Sequence, residues 1–381
     1  METPFVFGKI ASQKNFTNRK EETVRLVSSF CSQINTILIS PRRWGKSSLV
    51  KRASELAIKK DKTLRFCFID LYNIRTEEEF YHLLAQEVLR VSSSKLEELI
   101  ENVKLFLGKL IPKIILNPEP NVDFSLGFDW VEVKKQPDEI LNLAENISKA
   151  KKIKYIICID EFQNISALGE SLAIQKKLRS HWQKHQHTSY CLYGSKRHML
   201  LDVFTSASMP FYKFGDIIFL KKITEDDFVK FIVERFADTE KVINKENARL
   251  IASYAECHPY YVQQLAQQTW LRTAKQCTTE IVDTAFENLI LQLEFLFQTI
   301  TDEISNTQLN FLKAVLMGAE QISSQKTINE FQLGTSANVV RIKKTLENKE
   351  IIDLNANAIT FLDPMYKHWL KKYYFKIKGN S

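Results

Sequence analysis

Residues 40–48 read Ser-Pro-Arg-Arg-Trp-Gly-Lys-Ser-Ser, after a short apolar strand and before a helical pattern. This order is typical of a phosphate-binding loop, whose backbone N–H groups surround phosphate oxygens. Lys46 is predicted to reach the β and γ phosphates and Ser47 to bind Mg²⁺, while the following helix directs its N-terminus at the same anion. The remaining loop candidates are Ser40, Pro41, Arg42, Arg43, Trp44, Gly45 and Ser48. The chain is therefore predicted to contain a strand–loop–helix unit that binds a nucleotide.

A second apolar strand, residues 155–159, ends in two carboxylates. At the carboxyl end of a parallel strand, Asp160 would lie beside the metal, and Glu161 would orient or deprotonate the attacking water. Two solvated acids capping a buried strand would give the same pattern, but the loop upstream favours the nucleotide interpretation. A later strand, residues 189–194, ends at Ser195, which would contact the γ-phosphate or the water, or would cap a helix.

Alternating strands and helices predict an α/β core with a parallel sheet and helices on both faces. We assign this core to residues 1–222, with a helical or irregular insertion, interrupted by prolines, at 92–152. Only helical patterns follow residue 222, which predicts an all-α lid at 223–300. Three short helices and a hairpin then predict a winged helix at 301–381.

The first helix is predicted from a capping pair and an apolar face. Asn18 followed by Glu21 is typical of a helix start. The apolar spacing predicts a buried face formed by Val24, Val27, Phe30 and Ile34. This helix would deliver the chain to the strand before the phosphate loop.

The third helix of the predicted winged helix has two distinct faces. Val339, Ile342 and Leu346 share the apolar face, and the polar residues lying away from it are Arg341, Lys344 and Asn348. The formal charge of the chain is +8, and residues 335–381 hold nine basic against four acidic residues. Such a stripe fits a DNA groove, but winged helices also dock proteins. Duplex DNA and a protein are therefore both candidate partners of this helix.

Composition excludes several classes of protein. The chain has 381 residues, of which 44% are hydrophobic and 26% charged, as in ordinary globular proteins. No apolar run approaches a membrane span and no leader pattern is visible, so we expect a cytoplasmic protein without a membrane partner. Six dispersed cysteines without a Cys-x-x-Cys pair predict free thiols. His181, His185 and His187 lie close in sequence, but without further ligand residues a solvated helix end is favoured over zinc.

Taken together, these residues resemble the archaeal-type ATPases of the AAA+ and STAND superfamily, relatives of the origin-recognition initiators. The similar segments are an entry box at 16–22, the phosphate loop, the acidic pair, Gly194 with Ser195, and a lid motif at 257–261. The resemblance implies an ATPase that binds ATP and Mg²⁺ between sheet and lid and whose hydrolysis rearranges the lid and winged helix. It adds Phe16 and Pro259 as nucleotide-contacting candidates.

Two features of the resemblance leave alternatives open. Asn18, Ser40 and Cys257 stand where the family usually has glycine, and these replacements leave open whether ATP turnover is fast, slow or absent. The alternative function is a regulatory switch with little or no turnover whose winged helix binds only protein. An arginine from a neighbouring subunit of a homo-oligomer often completes such sites, and Arg179 and Arg197 are the candidates. ATP is favoured over GTP because the guanine motif Asn-Lys-x-Asp is absent.

Overall fold

A computed structural model describes residues 3–11, 15–93, 95–108, 110, 113–116, 124–355 and 358–377. The chain divides into two compact units: residues 19–221, and residues 222–381 together with 1–18. The division lies one residue from the boundary between core and lid drawn from the sequence. Residues 1–18, assigned to the core in that reading, group with the second unit.

A parallel sheet forms the centre of the first unit. The strands of this unit are β1 (Thr36–Ile39), β2 (Leu64–Asp70), β3 (Lys113–Leu116), β4 (Phe124–Gly127), β5 (Lys154–Asp160), β6 (Thr188–Gly194) and β7 (Asp216–Phe219). Five of them pair in parallel in the order β2-β5-β6-β1-β7, and β3 pairs with β4 in an antiparallel hairpin. Strand β6 therefore lies between the strand before the phosphate loop and the strand that ends at Asp160.

Helices connect the strands of this sheet. They are α1 (Lys20–Cys31), α2 (Lys46–Lys60), α3 (Glu77–Ser92), α4 (Leu96–Phe106), α5 (Trp130–Lys135), α6 (Pro137–Leu141), α7 (Leu143–Lys151), α8 (Ser171–Trp182) and α9 (Arg197–Thr205). A short 3₁₀ helix, Phe162–Ala167, follows β5. The described part of the predicted insertion consists of α4 to α7 and the β3–β4 hairpin.

Strand β2 shows that both faces of the sheet are covered. On one face, the ring of Phe66 lies 5.1 Å from the ring of Phe30 in α1. On the other face, Cys67 and Ile69 belong to the same buried cluster as Phe80 of α3. This alternation follows from the two-residue period of a strand. The predicted α/β fold with helices on both faces is confirmed.

Helix α1 differs from its prediction at both ends. Val27 and Phe30 are buried as expected, but Val24 is 68% exposed and Ile34 is 47% exposed. The buried face is rotated toward Leu26, so Val24 points away from the core, and Ile34 lies beyond the end of the helix at Cys31. The predicted capping pair is also wrong, because the N-cap is Arg19 in the left-handed conformation and makes no side-chain cap.

The second unit is helical up to a C-terminal hairpin. Its helices are α10 (Glu225–Ala237), α11 (Lys245–Tyr254), α12 (Pro259–Arg272), α13 (Thr279–Asp302), α14 (Asn306–Leu316), α15 (Gln325–Glu330), α16 (Ser336–Asn348) and α17 (Pro364–Trp369). Strands β8 (Ile352–Asn355) and β9 (Ala358–Phe361) pair antiparallel, and a π-helical turn, Leu370–Tyr374, follows α17. The predicted hairpin turn falls largely on residues 356–357, outside the described residues. The all-α segment and the winged helix are confirmed as parts of the fold class.

Helix α13 has 24 residues and was not predicted. It runs across the boundary drawn at 300/301 between lid and winged helix. Among the helices that the structure describes, none is both long enough and apolar enough to cross a membrane.

Candidate nucleotide site

The phosphate loop connects β1 to α2 at the carboxyl end of the sheet. Strand β1 is buried along its whole length, and Gly45 is the N-cap of α2 with φ 85°. This left-handed conformation suits glycine, since a Cβ atom would be strained there. The N-cap Gly45 has no side chain with which to cap α2, so the start of this helix suits an anion.

The replaced glycine at the start of the loop needs no special conformation. Ser40 is 1% exposed and is absent from the described residues with positive φ. Its hydroxyl donates to the carbonyl oxygen of Pro41 at 3.2 Å. Arg43 does adopt a left-handed conformation, with φ 63°, which is the kind of local strain that collects at functional loops.

A buried arginine supports the loop from behind. Arg19 is 4% exposed and donates to the carbonyl oxygen of Trp44 at 3.3 Å. It also donates to the carbonyl oxygen of Lys221 at 2.5 Å and to Glu22 at 3.2 Å. The sequence placed Arg19 in the entry box but gave it no role. In the structure it holds the phosphate loop against the last residue of the first unit.

Lys46 brings the loop and the acidic pair together. Its Nζ atom lies 3.3 Å from Glu161 Oε1 and 3.9 Å from Asp160 Oδ1, and the residue is 7% exposed. The Ser47 hydroxyl donates to Asp160 Oδ2 at 2.7 Å. The four side chains on which the sequence prediction depends most therefore meet at one edge of the sheet.

The two neighbouring carboxyl groups have opposite pKa shifts. Burial raises the pKa of Asp160 above its ordinary value, against the lowering effect of Lys46 and Ser47. Burial acts on Glu161 in the same direction, but the Lys46 ammonium and hydrogen bonds from Gln163 and Ser195 outweigh it, so the pKa of Glu161 is lowered. Glu161 is consequently ionised at neutral pH.

Ser195 joins the same network from the end of β6. Its hydroxyl donates to Glu161 Oε2 at 2.9 Å and its backbone N–H to the same oxygen at 3.4 Å. The side-chain amide of Gln163 also donates to this oxygen. Glu161 itself has φ 50°, a left-handed conformation next to the end of β5. Sequence reasoning missed Gln163, because its role depends on the 3₁₀ turn after the strand.

The donor set fits a magnesium–phosphate group. A serine hydroxyl and a carboxylate are the oxygen ligands that Mg²⁺ prefers, and here they already approach each other at 2.7 Å. The buried ammonium and the uncapped helix N-terminus supply positive charge for phosphate oxygens. Both kinds of group face the same edge of the sheet.

The other predicted site residues are distributed differently. Arg42 and Arg43 are exposed, Pro41 and Trp44 are partly exposed, and Ser48 is buried. Phe16 and Pro259 belong to the second unit, so their predicted contacts with the nucleotide stay predictions.

The arginine candidates both pack over phenylalanine rings. Arg179 on α8 lies over Phe214 at 5.0 Å, and Arg197 lies over Phe219 at 5.8 Å. Arg197 starts α9, two residues after Ser195, and therefore lies near the candidate site in the chain. Whether either arginine serves a neighbouring subunit stays a prediction.

The histidines form a polar network with their neighbours. His185 bonds the Tyr190 hydroxyl at 2.8 Å and Asn142 at 3.1 Å, and His187 contacts Glu145 at 3.2 Å. They are partly buried, which differs from the predicted solvated helix end. No group of side chains suited to a metal ion was found among the described histidine, cysteine and acidic residues.

The sheet, the phosphate loop and the C-terminal hairpin define the fold of a P-loop ATPase of the AAA+ type that ends in a winged helix. A family model described as a probable winged helix domain matches residues 295–372. No match was found among curated proteins.

Solved structures of archaeal proteins share this fold over nearly the whole chain. The Walker-type ATPase of Pyrococcus abyssi has a TM-score of 0.66 at 16% identity, over 97% of this chain and 100% of that one. The ORC2 protein of Aeropyrum pernix, in ADPNP and ADP complexes, has a TM-score of 0.55 at 16% identity, over 95% and 93%. The ORC1 protein of the same organism, in complex with DNA, has a TM-score of 0.51 at 12% identity, over 98% and 99%. The predicted resemblance is confirmed at the level of the fold.

Proposed function

We propose that this protein is an ATPase that hydrolyses ATP to ADP and phosphate with Mg²⁺ and uses the reaction to change its conformation. One observation carries the proposal: Lys46 lies between the phosphate loop and both carboxylates, at 3.3 Å from Glu161 and 3.9 Å from Asp160. A buried lysine and an uncapped helix N-terminus at one point favour a polyphosphate ligand.

In the proposed complex, backbone N–H groups of residues 41–48 surround the phosphates. Lys46 exchanges its contact with Glu161 for the β and γ phosphate oxygens, where its charge is neutralised by a closer and more highly charged partner. Ser47 and Asp160 would hold Mg²⁺, which neutralises phosphate charge when bound. Ser40 and Ser48 complete the polar lining of the loop.

Glu161 is the proposed general base. Its lowered pKa keeps it ionised near neutral pH, as an acceptor for a water proton must be. As the water oxygen bonds to the γ-phosphorus, the bond to the ADP oxygen breaks and the water proton passes to Glu161. Ser195, which already contacts Glu161, would bind the γ-phosphate or the same water.

We propose that the second unit responds to the state of the nucleotide. Residues 223–300 would act as a lid and residues 301–381 as a winged helix. Phe16 and Pro259 would contact the adenine, as the resemblance implies. A homo-oligomer with a shared arginine, and a cytoplasmic location in keeping with the free described cysteines, belong to the same proposal.

Phosphate release from ATP tests the proposed reaction. We expect release that requires Mg²⁺ and stops when EDTA removes it. Replacing ATP by GTP should weaken binding. A protein that binds ATP tightly and releases no phosphate would contradict the enzymatic part of the proposal and support a regulatory switch instead.

The winged helix is proposed to contact duplex DNA through α16. Arg341, Lys344 and Asn348 are exposed on this helix, and Val339 and Leu346 are fully buried on its other side. Exposed basic side chains on a helix that packs by its opposite face can approach DNA phosphates and base edges.

Salt-dependent DNA binding separates the two candidate partners. Replacing Arg341 and Lys344 together by alanine should weaken binding to duplex DNA. It should also lower the slope of log affinity against log salt by about 2, since each lost phosphate contact contributes about 0.9. Lys245→Ala, at the exposed first residue of α11 in the same unit, is the control. Absence of DNA binding at low salt would favour a protein partner.

A further inference from the structure

Gln163 is a buried residue beside the proposed base. It is the second residue of the 3₁₀ helix Phe162–Ala167 and is 1% exposed. Its Nε2 atom donates to Glu161 Oε2. A buried polar side chain at this point contacts neither the phosphate loop nor the proposed metal ligands through the described hydrogen bonds, so its effect passes through Glu161.

The orientation of the Gln163 amide is fixed by its neighbour. An ionised carboxylate can only accept hydrogen bonds, so the nitrogen of the amide must face Glu161. The oxygen, Oε1, is then directed away, and among the described residues it has no hydrogen-bond partner. Burying an unsatisfied oxygen costs free energy. That cost is consistent with a residue retained for its contact with Glu161 rather than for stability.

Gly194 provides the space for this amide. A Cβ atom at position 194 would lie 2.0 Å from Gln163 Oε1 and 3.1 Å from its Cδ atom. Any larger residue at the end of β6 would therefore displace the amide from Glu161. The glycine before Ser195 thus has a packing reason that the sequence alone did not supply.

The contacts of Glu161 divide between its two oxygens. Oε2 accepts from Gln163 and from the hydroxyl and N–H of Ser195, whereas Oε1 contacts only Lys46 in the described hydrogen bonds. A phosphate group that attracts Lys46 would free Oε1 and leave Oε2 held. The carboxylate would then present one oxygen in a fixed direction.

We propose that Gln163 is a positioning residue, which together with Ser195 holds Glu161 Oε2 so that Oε1 faces the water that attacks ATP. This inference rests on the proposed function and adds the residue that orients its base. Gly194 acts through the same contact by leaving room for the amide.

The substitution Gln163→Met tests the role of the amide, because it keeps the length of the side chain and removes the donor. We expect kcat for ATP hydrolysis to fall about 10-fold to 100-fold, the usual effect of losing a residue that orients a functional group. The Kd of ATP should change less than about 3-fold, since the phosphate contacts are intact. Gln175→Met is the matched control, because Gln175 is also 1% exposed and donates to neither site carboxylate in the described hydrogen bonds.

Two further measurements show whether the effect passes through Glu161. In the Glu161→Gln background, Gln163→Met should cause no further loss of kcat. Without any nucleotide, the two substitutions should shift the urea midpoint of unfolding non-additively, because residues in contact couple. Gly194→Ala should reproduce the fall in kcat in the parent and have little effect in the Gln163→Ala background.

The outcomes separate this inference from the proposed function. A parent protein without ATP binding would overturn the proposed function. A Gln163→Met variant that hydrolyses ATP at the parent rate, or urea midpoints that add, would overturn only the role of Gln163. An equal loss of kcat in Gln175→Met would show a general effect of core substitution and would overturn it as well.

Discussion

The two edges of the central sheet both carry buried charged groups, but these groups are satisfied in different ways. We call the end of the strands at Asp160 and Ser195 the carboxyl edge, and the end at Lys154 and Thr188 the amino edge. The amino edge holds the buried carboxylate of Glu145, and the carboxyl edge holds the partly buried carboxylates of Asp160 and Glu161. The pKa of Asp160 is raised whereas that of Glu145 is lowered, a contrast between the proposed ligand site and a fully paired carboxylate.

At the amino edge, Glu145 is fully paired. It is 3% exposed and accepts the backbone N–H groups of Gln186 at 3.1 Å and His187 at 3.0 Å, with Lys149 at 3.3 Å. Burial alone would raise the pKa of Glu145, but these hydrogen bonds outweigh it and lower the pKa to about 2. The protein itself supplies the partners that this charge requires.

At the carboxyl edge, the carboxylates of Asp160 and Glu161 are only partly buried. Burial raises the pKa of Asp160 despite the nearby Lys46, so its ionised form is disfavoured in the folded chain. A single lysine contacts both Asp160 and Glu161. This arrangement fits the proposed magnesium–phosphate ligand, whose metal ion would be a further partner of Asp160.

Removing Lys46, the cation that contacts both carboxylates, should have the largest effect on ligand binding at the carboxyl edge. In Lys46→Ala we expect ATP affinity to fall by at least about 1,000-fold, because the two carboxylates would face the phosphates without a cation. Isothermal titration calorimetry measures this. Lys59→Ala, at the exposed end of the same helix, should bind as the parent does. Unchanged ATP affinity in Lys46→Ala would show that the phosphate loop does not bind ATP.

Neutralising the base should separate binding from hydrolysis. Glu161→Gln should retain ATP affinity within about 3-fold and lose about 100-fold to 1,000-fold in kcat, the range for loss of a general base. Phosphate release and calorimetry on the same sample check both values. Glu170→Gln, an exposed acid in the same region of sequence, should hydrolyse ATP normally. Parent-like turnover in Glu161→Gln would make its assignment as the base wrong.

The same change at the two edges should have opposite effects on stability. Glu145→Gln should lower the free energy of unfolding by about 2–3 kcal/mol, since the backbone N–H groups lose a charged acceptor. Asp160→Asn should leave the stability of nucleotide-free protein unchanged or raise it, because it removes a charge that partial burial disfavours. Urea unfolding at neutral pH measures both. Equal losses in the two variants would refute the contrast between the edges.

Lowering the pH should reduce the stability of the amino edge first through protonation of His185. Burial lowers the pKa of His185 to about 4, from about 6.5 in the unfolded chain. As pH falls below 6.5 the unfolded state takes up the proton first, so stability decreases until about pH 4. Its partial burial limits the loss to about 1–2 kcal/mol. His185→Gln should flatten this part of a pH series of urea unfolding; an unchanged slope would contradict the assignment.

The smallest expected effect concerns the second unit. Cys257 has φ 55°, the left-handed region in which a glycine is unstrained. Cys257→Gly should therefore raise the free energy of unfolding by up to about 1 kcal/mol, less the added freedom of the unfolded chain. Thermal unfolding checks this. Ser40→Gly should give no gain, because Ser40 does not have a positive φ.

The sequence predicted those parts of the candidate site that lie at the ends of strands. Asp160 and Ser195 follow apolar runs, and Gly45 with Lys46 follows another, so parallel pairing alone brings them to one edge. Gln163 and Arg19 could not be found in this way. Their contacts depend on a 3₁₀ turn and on a left-handed residue before α1, neither of which has a periodic pattern.

The sequence predicted the fold more fully than its details. The alternation of strands and helices was sufficient to predict the parallel sheet. The three short helices followed by a hairpin were sufficient to predict the winged helix. The exposure of Val24 was missed because apolar spacing indicates a helical face but does not fix its rotation against the core, and that of Ile34 because the helix ends earlier, at Cys31. Helix α13 was missed although its buried residues Val282, Ala285, Phe286, Leu289 and Ile290 recur at helical spacing, a signal that the sequence does contain.

The most direct test of the account compares ATP with AMP by calorimetric titration in the presence of Mg²⁺. If the phosphate loop and the acidic edge bind a triphosphate, ATP should bind the parent protein at least about 100-fold more tightly than AMP, since AMP cannot reach Lys46 with β and γ phosphates. Equal affinities for the two nucleotides, or no heat with either, would contradict the central claim.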